Sequence, residues 1–208
     1  IDAHAHLMRA AETWAIEARF DDVDTRKQAL AIVKAKAAEL GAGQWVFNLG
    51  GWSYDQFSDG PKPLTREELD QAAPNNPVYL QFSRCCGFLN TKGMEAIKLN
   101  DMKDAWIERD ASGKPTGRVN DPGLAMIANK VPRPAKDTFP RNANALLADL
   151  NRAGLTTAAI SGCAGDATEY MRGPARTGVQ DFLLIFVVAA PALFALAAPA
   201  RTAGPRDR

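Results

Sequence analysis

Apolar and polar positions alternate in two registers along most of the chain, a period of two in short runs and a near-helical period between them. From Ile1 to His6 the period is two: Ile1, Ala3 and Ala5 fall on one side and Asp2, His4 and His6 on the other, as in a strand. Leu7, Met8, Ala11, Trp14, Ala15 and Ala18 then recur at roughly helical spacing and predict a helix or a helical turn between Leu7 and Phe20, packed beside the first strand. Asp24 or Thr25 caps a second helix, with Leu30, Val33, Ala37 and Leu40 as its apolar stripe and Gly41 as its left-handed stop. Trp45 to Leu49 reads as a strand ending in Gly50-Gly51-Trp52, which would complete a βαβ unit.

The polar stretch from Ser53 to Lys62 reads as a loop leaving the C-terminal end of that second strand. Thr65 and Glu68 form a capping box, which predicts a short helix ending near Ala73. Pro74-Asn75-Asn76-Pro77 forces a turn, Val78 to Phe82 is a third strand, and Ser83 to Asn90 leads off its end. Trp106 to Asp110 and Thr116 to Val119 flank Ala111 to Pro115, a hairpin with a glycine-containing turn. Between Asn120 and Pro140 only Leu124 to Ala128 suggests a helical turn. Arg141 to Ala153 predicts a helix with Ala145, Leu146, Ala148 and Leu150 inward and Gly154 as its stop, and Thr156 to Ser161 reads as the fourth strand of the series. Cys163, Asp166 and Glu169 follow as later candidates for metal donors, although Asp166 equally suits a helix cap.

Beyond Arg172 the pattern breaks. Phe182 to Ala200 carries no charge and is interrupted by Pro191 and Pro199. Three readings fit: a membrane span, since about 17 to 25 residues suffice; a buried strand followed by a core helix; or a tail foreign to the rest of the sequence. The third is favoured.

Composition narrows the function classes. Lysine and arginine number 25 against 24 acidic residues, a net charge of +1, so no basic field points to nucleic acid. The three cysteines, two of them adjacent at Cys85 and Cys86, do not form a disulfide framework, so a reducing, cytoplasmic setting is expected, with membrane association through the tail as the alternative. The opening at Ile1, inside a strand and without methionine, leaves targeting unread.

The candidate chemistry sits at the start. His4 and His6 are the two histidines of the sequence, with Asp2 one step behind. Zinc binds imidazole at about 2.0 to 2.1 Å, and a backing carboxylate fixes the tautomer of a ligating histidine. The plainer alternative is two polar residues on the wet face of an edge strand. For Cys85 and Cys86, loop packing is favoured over ligation.

Asp-x-His-x-His closing a first strand resembles the start of the barrel in metal-dependent amidohydrolases. Gly-Gly-Trp, then Leu-Thr-Arg-Glu-Glu-Leu-Asp-x-Ala-Ala-Pro, Asn-Pro-Val and a strand leading to Leu-Asn narrow the likeness to amidohydrolase family 3, the YtcJ-like branch. The resemblance implies a partial (β/α)8 TIM-type barrel of about four β/α units over residues 1–172, with an inserted β-hairpin and an atypical tail over 173–208. It implies a divalent metal, zinc by preference, held by His4 and His6 with Asp2 in support, and a small-molecule substrate with a non-peptide amide-type C–N bond. The metal would activate water and polarise the carbonyl while a carboxylate manages the proton. Two departures qualify this. Many members carry a glycine-histidine pair where Cys85 and Cys86 stand, and no histidine follows His6 to complete the ligand set. A complete barrel typically takes about 250 residues, so an incomplete chain is expected, with a catalytically inactive relic or interaction module as the alternative.

Overall fold

In chain order the strands are β1 (Asp2–Ala5), β2 (Val46–Asn48), β3 (Val78–Phe82), β4 (Cys86–Leu89), β5 (Ile107–Arg109), β6 (Pro115–Asn120), β7 (Thr157–Ser161) and β8 (Leu183–Val187). The helices are α1 (Leu7–Thr13), α2 (Arg26–Leu40), α3 (Arg66–Ala72), α4 (Thr91–Ala96), α5 (Gly123–Ala128) and α6 (Phe139–Arg152). These come from a computed structural model that describes residues 2–83, 85–161 and 183–187.

The strands fall into two sheets. Three parallel strands run in the order β1-β7-β8, and five run in the order β2-β3-β4-β6-β5. The expected series of four successive barrel strands is therefore not what forms: β1 neighbours β7, while β2 and β3 belong to the mixed sheet. Helix packing explains the pairing of β1 with β7. Leu7, Met8 and Ala11 of α1 share a buried cluster with Ala143, Leu146 and Leu147 of α6 and with Ala158 of β7. Asn142 donates to the Glu12 carbonyl at 2.7 Å, and Trp14 Nε1 donates to the Asp149 carboxylate at 2.5 Å. Helices docked in this way bring the strands that adjoin them side by side. The fold is mixed α/β, and no closed barrel is present among the described residues.

The five-stranded sheet is covered on both faces because its side chains alternate. Val78 and Leu80 face one core with Val46, Phe88, Val33 and Leu69, whereas Tyr79 faces another with Phe47, Leu89, Val119 and Trp106. Local signals hold at several element ends. Thr25 caps α2 in a capping box with Gln28, Gly41 stops it at φ +83°, and Thr65 caps α3 in a capping box with Glu68. The expected hairpin is β5 paired antiparallel with β6.

Other expectations are corrected. The helix from Leu7 ends at Thr13 instead of running to Phe20, because the chain turns to bond β2: Ala18 N–H donates to the Phe47 carbonyl, and Asn48 Nδ2 donates to the Ala18 carbonyl, each at 2.8 Å. On α6 the inward face is Ala143, Leu146 and Leu147, with Ala148 exposed, since α1 docks on that side. Ser83 to Asn90 is no simple exit loop, because Cys86–Leu89 forms β4 between β3 and β6. The apolar run after Phe182 enters as a strand, β8, paired in parallel with β7. Residues 188–208 lie outside the described residues, among which no helix is long and apolar enough to cross a membrane.

Candidate active site

The C-terminal end of β1 passes directly into α1, and His6 is the residue at the junction, exposed and in the N-cap position. Asp2 and His4 lie on β1, their side chains outside the described part of the structure. The register between β1 and β7 slips by one residue, with Asp2 opposite Ala158 but Ala5 opposite Ile160.

A cleft of about 250 Å³ opens at this junction, lined by His6, Arg9 and Trp14 from the α1 segment, by Glu17 and Arg19, and by Leu49, Gly50, Gly51, Gln81 and Ser83 from the ends of β2 and β3. The two glycines have positive φ, +125° and +80°, a turn that side-chain-bearing residues rarely adopt. Arg19 lies over the Trp14 ring, its guanidinium carbon 3.2 Å from the ring centroid, and pairs with Asp21 at 2.6 Å.

Glu17 is the buried acid of this cleft. The Thr13 hydroxyl donates to one carboxylate oxygen, and the Leu49 N–H donates to the other at 2.9 Å. Burial pushes its carboxyl above the ordinary carboxylate value, against those two bonds and the nearby Arg19 and Arg9 charges. It thereby fastens the end of α1 to the end of β2, a role its sequence context hinted at only by placing an acid inside the apolar run Trp14 to Ala18.

Arg9 stands one helical turn from His6. Its guanidinium donates to Gln81 Oε1 at 3.2 Å; the same oxygen accepts from the Tyr79 hydroxyl at 3.4 Å, and Gln81 Nε2 donates to the Ser83 carbonyl at 2.7 Å. Arg9, Leu49 and Gln81 also line a second cleft of about 310 Å³, whose further wall is Leu124, Ala125, Ala128, Val131 and Pro132. Helical periodicity and strand alternation gave no reason to single out Arg9, Glu17 or Gln81, because the contacts that join them span up to 72 positions.

Among the described residues no group of three or more histidines, cysteines or carboxylates comes together to hold a metal. The donor chemistry fits a share of such a site, with His6 exposed at a strand end that opens into a cleft. Each Glu17 oxygen already accepts one hydrogen bond, from Thr13 and from Leu49. Cys85 is exposed and Cys86 buried, their sulfurs 2.9 Å apart. Burial, helped by the neighbouring Cys85 thiol, pushes the Cys86 thiol up to about 12. Cys86 is thus a packed core residue, in keeping with the packing role favoured for it. Cys163, Asp166 and Glu169 lie outside the described residues.

Comparison with known proteins bears on the same stretch. A family model described as "Amidohydrolase family" matches residues 1–190. The chain is 33% identical over 133 residues to an N-substituted formamide deformylase of Arthrobacter pascens, covering 61% of this chain and 24% of that protein. It is 26% identical over 163 residues to YtcJ of Bacillus subtilis (strain 168), a protein named as an amidohydrolase, covering 75% of this chain and 30% of that protein. The chain thus spans about a quarter to a third of the length of these curated relatives. No solved structure matches.

Proposed function

The chain belongs to amidohydrolase family 3, and from that membership we propose that it supplies the first ligands of a metal-dependent hydrolase acting on amide-type, non-peptide C–N bonds of small molecules. The observation that carries the reading is His6, exposed where β1 ends and lining the cleft formed with the ends of β2 and β3. His4 and His6 would hold a divalent cation, for which zinc suits the imidazole donors, with Asp2 supporting one of the rings. When bound, the metal supplies Lewis acidity toward the amide carbonyl and toward water.

The chain's own groups shape what surrounds it. Gly50 and Gly51 turn the backbone away at the cleft wall, leaving room beside His6. Glu17, fixed by Thr13 and Leu49, holds the α1 segment against β2 and so sets where His6 sits. The relatives' names support the amide class: one acts on N-substituted formamides by its name.

The test is hydrolysis of a panel of N-substituted formamides, N-acyl amines and cyclic amides by the zinc- or manganese-loaded full-length protein. Turnover of at least one member, abolished in His4→Ala and His6→Ala, is the expected result. A protein that hydrolyses none of them, or whose activity is unchanged by His6→Ala, would overturn the proposal.

A further inference from the structure

Arg9 differs from the other arginines around the two clefts in what it is paired with. Arg19 has Asp21 at 2.6 Å and Arg133 has Glu12 at 3.8 Å. Arg9 is exposed, and the partner that fixes it is the neutral amide oxygen of Gln81 at 3.2 Å. Among the described residues no carboxylate forms an ion pair with it. Glu17 feels its charge but is committed to Thr13 and Leu49.

The guanidinium is nonetheless held in place. Gln81 is 4% exposed, and its amide is fixed by the fully buried Tyr79 and by the Ser83 carbonyl. A cation oriented by a buried neutral network, in a cleft and outside any ion pair among the described residues, keeps its donors available for an anionic group. Its place suits a substrate bound at His6, because His6 and Arg9 are three positions apart on the same face at the start of α1.

We infer that Arg9 binds a carboxylate of the substrate, so that this protein takes amides bearing a carboxylate near the scissile C–N bond, such as N-acyl or N-formyl amino acids. The larger of these two clefts, which shares Arg9 and Gln81, is lined by Phe47, Leu124, Ala128 and Val131 as well as by Glu12, Asp121 and Arg133, and its apolar part suits an apolar side chain on that substrate. Three features of the ligand are thereby assigned: the amide beside His6, the carboxylate on Arg9 and an apolar group beyond it. The inference rests on the hydrolase reading above for the reaction but not for the binding.

The experiment compares N-formyl-leucine with N-formyl-3-methylbutylamine, the same molecule without its carboxylate, as substrates of the metal-loaded full-length protein. The carboxylate compound is expected to have the higher kcat/KM. Arg9→Met is expected to lower the ratio of the two kcat/KM values about 10- to 100-fold, the range of a charge-assisted hydrogen bond, chiefly through KM, with Arg9→Lys losing less. A second arm titrates N-acetyl-leucine into the metal-free protein and the Arg9→Met variant, followed by NMR. Hydrolysis with an unchanged ratio in Arg9→Met overturns the inference and leaves the hydrolase reading standing. Arg9-dependent binding without hydrolysis of either compound or of any member of the amide panel upholds the carboxylate site and overturns the hydrolase reading. Binding that is absent or indifferent to Arg9, together with an unchanged ratio, overturns the inference.

Discussion

Asn90→Ala should be among the most damaging single changes in the mixed sheet. Asn90 is fully buried, and its side chain makes four hydrogen bonds. Oδ1 accepts from Val78 N–H at 2.9 Å, at the start of β3, and from Gly93 N–H at 2.8 Å, capping α4. Nδ2 donates to the carbonyls of Asn76 at 2.9 Å and Ala73 at 3.2 Å, at the turn after α3. Loss of an N-cap costs about 1 kcal/mol. Three further buried backbone groups would each lose a partner at about 1 to 3 kcal/mol, less whatever water recovers by entering the space. Because the Ala73 carbonyl keeps its bond from Asn76 N–H at 3.3 Å and water recovers part of the rest, a total of about 3 to 5 kcal/mol follows, a large share of the roughly 5 to 15 kcal/mol that holds a domain folded. Urea denaturation followed by circular dichroism measures it. With a slope of about 2 kcal/mol per M, the midpoint should fall by about 1.5 to 2.5 M at unchanged slope. Asn90→Asp should not rescue it, because a carboxylate cannot donate to the Ala73 and Asn76 carbonyls. A variant within 1 kcal/mol of the wild type would refute the claim that this side chain fastens the turn, β3 and α4 together.

The remaining predictions concern the cleft and its supports. Because burial raises the Glu17 carboxyl above its ordinary 4.5, the folded state holds the proton to higher pH than the unfolded chain does. This group's contribution is therefore full below the unfolded value and declines as pH rises through the folded one. Chemical denaturation at several pH values should accordingly show wild-type stability falling relative to Glu17→Gln from about pH 4.5 upward, and a pH-independent difference would contradict this. Gly87→Ala should lower the melting temperature, since its Cβ would lie 2.5 Å from Cε2 and 3.0 Å from Oη of the fully buried Tyr79 ring. An overpacking cost of about 1 to 3 kcal/mol is expected, and an unchanged melting temperature would show that the ring moves freely.

The parts of this fold that were legible in the sequence are those written locally. Thr25 and Gly41 bracket α2, Thr65 and Glu68 start α3, and the glycine-containing turn between β5 and β6 closes a hairpin, each a matter of neighbours within a few positions. Strand β4 escaped notice because it has four residues, and its identity depends on β3 and β6 lying on either side. The order of strands escaped for a related reason. Nothing near Ala5 or Val46 states that β1 will lie beside Thr157–Ser161, since that follows from α1 docking on α6 more than a hundred positions away. At the candidate site the His-x-His spacing was readable as donor chemistry, while Arg9, Glu17 and Gln81 looked like ordinary surface or strand polar residues. Their significance is a product of the ends of β2 and β3 meeting α1.

The most direct test of the central claim is the metal content of the purified full-length protein, measured by mass spectrometry after dialysis against metal-free buffer, for the wild type and for His4→Ala/His6→Ala. The account predicts a stoichiometric divalent metal in the wild type and its loss in the double variant, with the fold retained by circular dichroism. A folded wild type that carries no divalent metal after reconstitution, or a double variant that binds it as tightly, would contradict it.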